Sequence, residues 1–463
     1  MLITEKNLKQ LTDFVLKNSK ASETEVLVFV DNSSLTRFAN NQIHQNVSSE
    51  NLSVQVRCIV GKKQGVASTN LNLSVASFSL NTATKLKLKE VTQQAYDIAK
   101  ISPEDPHFVH LPGFAEGKFT YPKVTAFDEK TALTSPEERS KEVEKIIKLA
   151  KEKKITAFGS LSSSVGEIVV ANSHGVFAYF PLTQGYLNIR VMGEISSGYA
   201  GETNMDFSKL NIELAAKRAI KKTLLGQKQT AVEPGDYEVI LEEPAVAEMM
   251  TYMSYLGFGG RAYHEERSFM SGNLGKKVMG ENVTILDKGL NPEVLPMPFD
   301  YQGIPKSEVT LIEKGIAKNI VYDHYLSTRY KTTPTGHGFP APHTEDAYAF
   351  HLHLQPGGTP KSKLLKGVKK GILVSRFWYV RNVHPKELSI TGMTRDGTFL
   401  IKNGEIVSGV NNMRFTVSIP KVFSNIVELS KEVHLEPSDE GFGASLLPAM
   451  RVKDFTFTGV SKL

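Results

Sequence analysis

A chain of 463 residues with 40% hydrophobic content can bury large cores, and its length predicts two or three domains. Lys+Arg 55 against Asp+Glu 49 leaves a formal +6, slight for this size, and the basic cluster at Lys361, Lys363, Lys366, Lys369 and Lys370 is local, so no direct nucleic-acid binding is expected. The single cysteine, Cys58, excludes an intramolecular disulfide framework and any cysteine-rich zinc or iron–sulfur cage.

The stretch MLITEKNLKQLTDFVLKNSK carries charges throughout, which is not the pattern of a signal peptide, and no apolar run reaches the ~18 residues of a membrane span. A soluble cytoplasmic protein with no membrane contact is expected. Thr4 is placed to cap a first helix with Leu8, Leu11 and Val15 on one face. EVLVFVD, from Glu25 to Asp31, reads as a strand, and LTRFANNQIHQN as a second strand turning at Asn40-Asn41. Further on, Val54, Val56 and Cys58 alternate with Gln55 and Arg57, the mark of a half-buried antiparallel strand, before a tight turn at Gly61-Lys62-Lys63. A helix over about 83–101 and a proline-rich connection over 103–122 containing two histidines follow.

A second unit begins near Ser135, where Ser135-Pro136-Glu137-Glu138 has the form of a capping box with Pro at the first helical position. Val143, Ile146, Ile147 and Ala150 form its apolar stripe. Strands are predicted at 155–162, 167–172, 176–180 and 187–192, with a break at Ser173-His174-Gly175, and a helix over about 207–225 closes the unit. The polar GQKQTAVEPG, Gly226 to Gly235, marks the domain boundary. Beyond it come a strand at 237–242, a helix opened by Pro244, and many short β-like runs with turns such as Lys314-Gly315 and Asn403-Gly404. The fold class is therefore α+β. Residues 1–104 and 120–228 form two α+β units that together make the N-terminal half, and 232–463 form a mainly antiparallel, β-rich, barrel- or sandwich-like C-terminal domain. No phosphate-binding glycine loop and no nucleophile elbow occurs.

Candidate chemistry is sparse. His264-Glu265 begins like the zinc motif HExxH, but positions 268 and 269 are Ser and Phe, so neither HExxH nor HExxxH is completed. His337, His343, His351 and His353 cluster in sequence near Glu345 and Asp346, and His351 and His353 would share one face of a strand. They are either a metal site or an exposed polar face beside a loop. Met249, Met250 and Met253 share a helical register that suits core filling.

The runs SFMSGNLGKKVMGENVTILDKG, MPFDYQGIPKSEVTLIEKGIAKNIVYD, TPTGHG and RDGTFLIKNGEIVSGVNN, in this order, resemble the TldD/PmbA (TldD–TldE) family, long labelled modulators of DNA gyrase. TRFANNQIHQNVSSENLSVQVRCIVGKKQGVAST, ANSHGVFAYF and SGYAGE carry the resemblance through the N-terminal half. It implies an α/β first half, an antiparallel β second half, and subunits paired around a peptide-cleaving cavity. TldD-type members carry HExxxH and a Cys near the C-terminus as zinc ligands. Here the corresponding positions are held by Thr251, Tyr252 and Leu256. Cys58 lies at the wrong end of the chain, and His434 is the only imidazole near the third ligand's region.

The chain thus resembles the TldE/PmbA type, which lacks the metal. The resemblance implies no catalytic residue and no metal or other cofactor in this chain, with zinc only in a TldD-like partner subunit. It also implies a peptide or unfolded-polypeptide substrate and pairing with that partner or with a second copy. The alternative is a stand-alone metal-dependent peptidase with its site moved to His337, His351 and His353. His264, Asp300, His337 and Arg395 are the candidate polar lining of a peptide cleft, and exposed strand edges are candidates for pairing with an extended peptide.

Overall fold

A computed structural model describes residues 2–71, 78–342, 346–437 and 443–461. The chain opens with α1 (Glu5–Asn18), which buries Leu8, Leu11 and Val15. Thr4 does not cap it with its side chain. Instead the buried carboxylate of Glu167 accepts the backbone N–H groups of Ile3 at 2.6 Å and Thr4 at 2.9 Å, a negative charge at the positive end of the helix. Then follow β1 (Glu23–Ala39) and β2 (Gln42–Val60), a single long hairpin. Its turn is Asn40-Asn41, with φ of 52° and 58°, the left-handed pair that a type I′ turn requires. The first predicted strand and the first arm of the second are therefore one strand.

Next are β3 (Lys63–Leu71), α2 (Thr82–Ile101), α3 (Glu129–Ala132) and α4 (Pro136–Glu152). The predicted capping box is present: Ser135 Oγ accepts from Glu138 N–H, and the Glu138 carboxylate accepts from Ser135 N–H. The four predicted central strands merge into two, β4 (Thr156–Asn172) and β5 (Phe177–Met192), followed by β6 (Ser197–Asn204) and α5 (Ile212–Leu225). All six strands form one antiparallel sheet in the order β3-β2-β1-β4-β5-β6, so the two N-terminal units share a sheet through the β1–β4 pair. The helices α1 and α2 cover β1–β3, and α4 with α5 covers β4–β6.

The sheet's other face is covered in part by the C-terminal half. Leu27, Val170 and Phe180 pack there against Phe299 and Tyr301 of the C-terminal half. Arg57, expected on a solvent face, is only 4% exposed and pairs with buried Glu25. The half-buried reading of β2 is corrected by this docking, which alternation within a strand cannot reveal.

The C-terminal half contains β7 (Gln229–Thr230), β8 (Gly235–Leu241), α6 (Glu243–Leu256), α7 (Gly260–His264), β9 (Ile285–Asp287), β10 (Val309–Glu313), β11 (Ile316–Ala317) and α8 (His324–Tyr330). It continues with β12 (Leu352–Leu354), α9 (Lys361–Leu364), β13 (Lys370–His384), β14 (Ser389–Lys402), β15 (Glu405–Val410), β16 (Met413–Ser418), α10 (Ile419–Ser424), β17 (Ile426–Pro437) and β18 (Ala444–Val460). These strands form a mainly antiparallel 12-stranded sheet, with parallel pairs at β8–β13, β12–β18 and β7–β15. Because β16 pairs with both β14 and β18, the strands β18-β8-β13-β14-β16 close into a ring. Met249, Met250 and Met253 of α6 are fully buried in the same core as Phe377, Phe415 and Phe455, as their helical register predicts. Among the described residues no helix is long and apolar enough to cross a membrane.

Candidate functional site at the seam of the two halves

A cavity of about 870 Å3 lies where the N-terminal sheet meets α6 and β13. The N-terminal half contributes Tyr186, Asn188 and Arg190 from β5 and Tyr199 from β6. From α6 come Glu248, Thr251, Tyr252 and Tyr255, positions three and four apart that share one helix face. The opposite wall is β13, where Arg376, Phe377, Trp378, Tyr379, Val380 and Arg381 all line the cavity. A regular strand would turn alternate residues away. Here the pairing with β14 slips between Trp378 and Arg381, and Tyr379 adopts φ of 53°, a bulge that re-aims the side chains. Phe339, Tyr348 and Phe350 form an edge-to-face aromatic cluster at another side.

Two arginines in this wall share one counter-ion. The Arg376 Nε donates to Asp396 at 2.7 Å, Arg190 Nε lies 3.2 Å from the same carboxylate, and Ser197 Oγ donates to it at 2.6 Å. Asp396 is 2% exposed, and although burial alone would raise its pKa, the Arg376 and Arg190 charges hold it below the ordinary value. Within this cluster two arginines face one buried carboxylate, and Arg381, Glu248 and Glu436 are the other charged groups of the lining. Tyr252 is fixed by its hydroxyl, which donates to the Val380 carbonyl at 2.9 Å, and Thr251 Oγ1 donates to the Ala247 carbonyl at 3.0 Å.

Beside the cavity, His434 of β17 is gripped by Glu436 on Nδ1 at 2.8 Å and by Glu202 of β6 on Nε2 at 3.3 Å. Burial would depress this imidazole, but the two carboxylates more than offset it and lift its pKa to about 9. A protonated imidazole has no lone pair for a metal.

The zinc peptidase chemistry implied for the family needs imidazole, thiolate or carboxylate donors converging on one point. The α6 face offers a carboxylate, a hydroxyl and two phenols, and the rest of the lining adds Glu436 but no His or Cys. These residues do not fit the peptidase zinc. Leu256, at the last position of α6, packs against the apolar core and does not line the cavity, whereas Thr251 and Tyr252 do.

None of the four candidate cleft residues lines this cavity. His264 stacks on Tyr330 with ring centroids 3.6 Å apart and meets Tyr322 Oη at 3.0 Å. Asp300 is buried, accepts the backbone N–H groups of Gln302, Ile304 and Gly338, and has its pKa pushed up to about 7 by burial. Arg395 lies outside the lining, behind Trp378, with its guanidinium carbon 4.9 Å from that ring's centroid. His337 is buried at 3.2 Å from Asp287 through Nε2, with Nδ1 on Thr335 Oγ1.

Among the described residues, His337, His351 and His353 do not come together as a group of three ligand atoms within 4.8 Å. His337 and His351 are buried near Asp287 and Lys306, with His337 Nε2 3.2 Å and Lys306 Nζ 3.8 Å from the same Asp287 oxygen, and burial with the Lys306 charge lowers the pKa of both imidazoles. His351 precedes β12, so the strand period does not carry it to the face of His353, whose charged neighbours are Lys288 and Glu293. Asp346 caps α7, its carboxylate accepting from Arg261 and Ala262 N–H. His343 and Glu345 lie outside the described residues.

A two-half α+β chain, with a closed β ring in its second half and an aromatic, arginine-bearing cavity at the seam, is the class that fold and site define. The chain belongs to the PmbA/TldD family. Residues 234–459 match the PmbA/TldA metallopeptidase C-terminal domain, 127–226 its central domain and 24–99 its domain 1. The metalloprotease PmbA homolog of Haemophilus influenzae is 23% identical over 97% of this chain and 96% of its own length. The metalloprotease TldD homolog of Buchnera aphidicola is 24% identical over 61% of this chain, which spans 62% of that relative, and an uncharacterized Methanocaldococcus jannaschii protein is 25% identical over 60% of this chain and 65% of its own. In fold, the chain is similar to TldE from Thermococcus kodakarensis, with a TM-score of 0.86 at 22% identity over 98% of this chain and 100% of that one. A Thermotoga maritima protein described as a candidate DNA gyrase modulator gives 0.82 at 18% identity over 97% and 100%.

Proposed function

We propose that this chain is the TldE/PmbA-type subunit of a TldD–TldE-type metallopeptidase assembly: it carries no peptidase zinc of its own and helps build the cavity that receives peptide or unfolded polypeptide in the cytoplasm. The observation that carries this reading is the α6 face, where Glu248, Thr251, Tyr252 and Tyr255 meet the cavity without an imidazole or thiol. The guanidinium groups of Arg190 and Arg376, with aromatic surfaces around them, suit a peptide carrying a carboxylate. The partner is a TldD-like subunit bearing HExxxH, and a second copy of this chain is the competing arrangement.

The purified chain, assayed alone on a mixed fluorogenic peptide set with and without added Zn2+, is expected to show no zinc-dependent hydrolysis. Zinc-dependent cleavage that disappears on His337→Ala or His351→Ala would establish the stand-alone peptidase instead.

A further inference from the structure

The geometry points to a zinc site made by His110, Glu116 and His324, outside the cavity and sharing no residue with it. Among the described residues this is the one place where three His, Cys, Asp or Glu side chains bring ligand atoms within 4.8 Å of one another. It joins the proline-rich connection of the N-terminal half to the first residue of α8.

The hydrogen bonds decide which atoms are free. His324 Nε2 lies 3.1 Å from the His110 carbonyl, an acceptor only, so this nitrogen carries the proton. Its Nδ1 then presents a lone pair. That atom is buried, has no hydrogen-bond partner among the described residues, and faces Glu116 Oε1 at 3.7 Å. A lone pair and a carboxylate oxygen repel unless a cation stands between them. The separation is too long for a hydrogen bond, yet close to the ~3.4 Å expected between two donors that each lie about 2.1 Å from a tetrahedral zinc.

His110 repeats the pattern: its Nδ1 is 2.9 Å from the Leu111 carbonyl, which leaves Nε2 as the unprotonated nitrogen. Both imidazoles are thus oriented by backbone carbonyls, as zinc-binding histidines commonly are. Glu116 is held by its Oε2, which accepts Gly113 N–H at 3.0 Å, and its side chain is 33% exposed, so ions reach the site from solvent. Two imidazoles and one carboxylate suit Zn2+ with water as the fourth ligand. A metal here would act as a clamp between the connection and α8 rather than as the peptidase ion.

The test uses the full-length chain, stripped with EDTA and titrated with ZnCl2 alone by calorimetry, with metal analysis after dialysis. One zinc per chain is expected, together with a rise in thermal midpoint. Glu116→Gln on the exposed turn should weaken binding by about 100-fold or more, beyond what the loss of an outer-shell partner costs. His324→Ala should do the same, while His353→Ala should bind like the parent. If His324→Ala fails to fold, the Glu116→Gln and His353→Ala pair still decides. Absent stoichiometric binding, or binding that Glu116→Gln leaves intact, overturns the site. Neither result alters the reading of the cavity, which rests on peptide hydrolysis.

Discussion

The guanidinium carbon of Arg376, on β13, stands 4.6 Å from the ring centroid of Tyr199, on β6. One residue belongs to the C-terminal half and the other to the N-terminal sheet, and both line the cavity. The cavity's shape is therefore a property of the docking between halves. Asp396, which turns back toward the N-terminal half with φ of 52°, ties Arg376 to Arg190 and Ser197 across the same seam.

Asp396→Ala strands two arginines against each other in a largely buried place. Removing one partner of a buried ionic cluster costs about 3–5 kcal/mol, whereas Arg395→Ala, which loses a stacking contact with Trp378, should cost about 1 kcal/mol or less. Thermal unfolding of the two variants beside the parent checks the order, and equal midpoints would contradict it.

Arg376→Ala removes one of the lining guanidinium groups and leaves the sequence of α6 unchanged. In an active assembly with a TldD-type partner, we expect KM for carboxylate-bearing peptides to rise about tenfold with little change in kcat, the mark of a lost binding contact. A fall in kcat at constant KM would place Arg376 in a different role.

Stability should also depend on His434. Its pKa is about 9 in the folded chain against 6.5 for a free imidazole, so the folded state binds the proton more tightly. The stabilisation is fully present below about pH 6.5 and is lost as pH rises through about 9, a change on the order of 3 kcal/mol at most. The thermal midpoint of the parent should fall across that window, and His434→Gln should start lower and fall less. Parallel profiles for the two would show that Glu202 and Glu436 do not hold the charge.

Cys58 is fully buried, and burial pushes its thiol pKa up. Native protein should resist iodoacetamide, and one thiol per chain should react once denaturant opens the N-terminal half. Rapid labelling of native protein would mean that α2 lifts readily from the sheet.

Local features were legible in the sequence because their causes are local. The Asn40-Asn41 turn, the Ser135 capping box and the methionine stripe of α6 each depend on a few neighbouring residues, and each is present. The cavity was legible only in part. Thr251 and Tyr252 stand on its α6 wall, but the residues that give it charge and aromatic surface come from a bulge in β13 and from strands more than a hundred positions earlier. No period marks a bulge, and no spacing reports that Asp396 reaches Arg190. The histidines drew attention because of their chemistry. His264 is taken up by stacking on Tyr330, and His337 and His351 by a buried ion cluster with Asp287 and Lys306. Solvation and packing, invisible in a list of residue types, decide such roles.

The subunit role is decided by mixing this chain with a TldD-type relative that bears HExxxH and measuring complex mass and zinc-dependent peptide hydrolysis together. A hetero-complex is expected whose activity is abolished by changing the partner's zinc ligands and keeps its kcat when this chain carries Arg376→Ala. A homo-oligomer of this chain that cleaves peptide with its own zinc would contradict it.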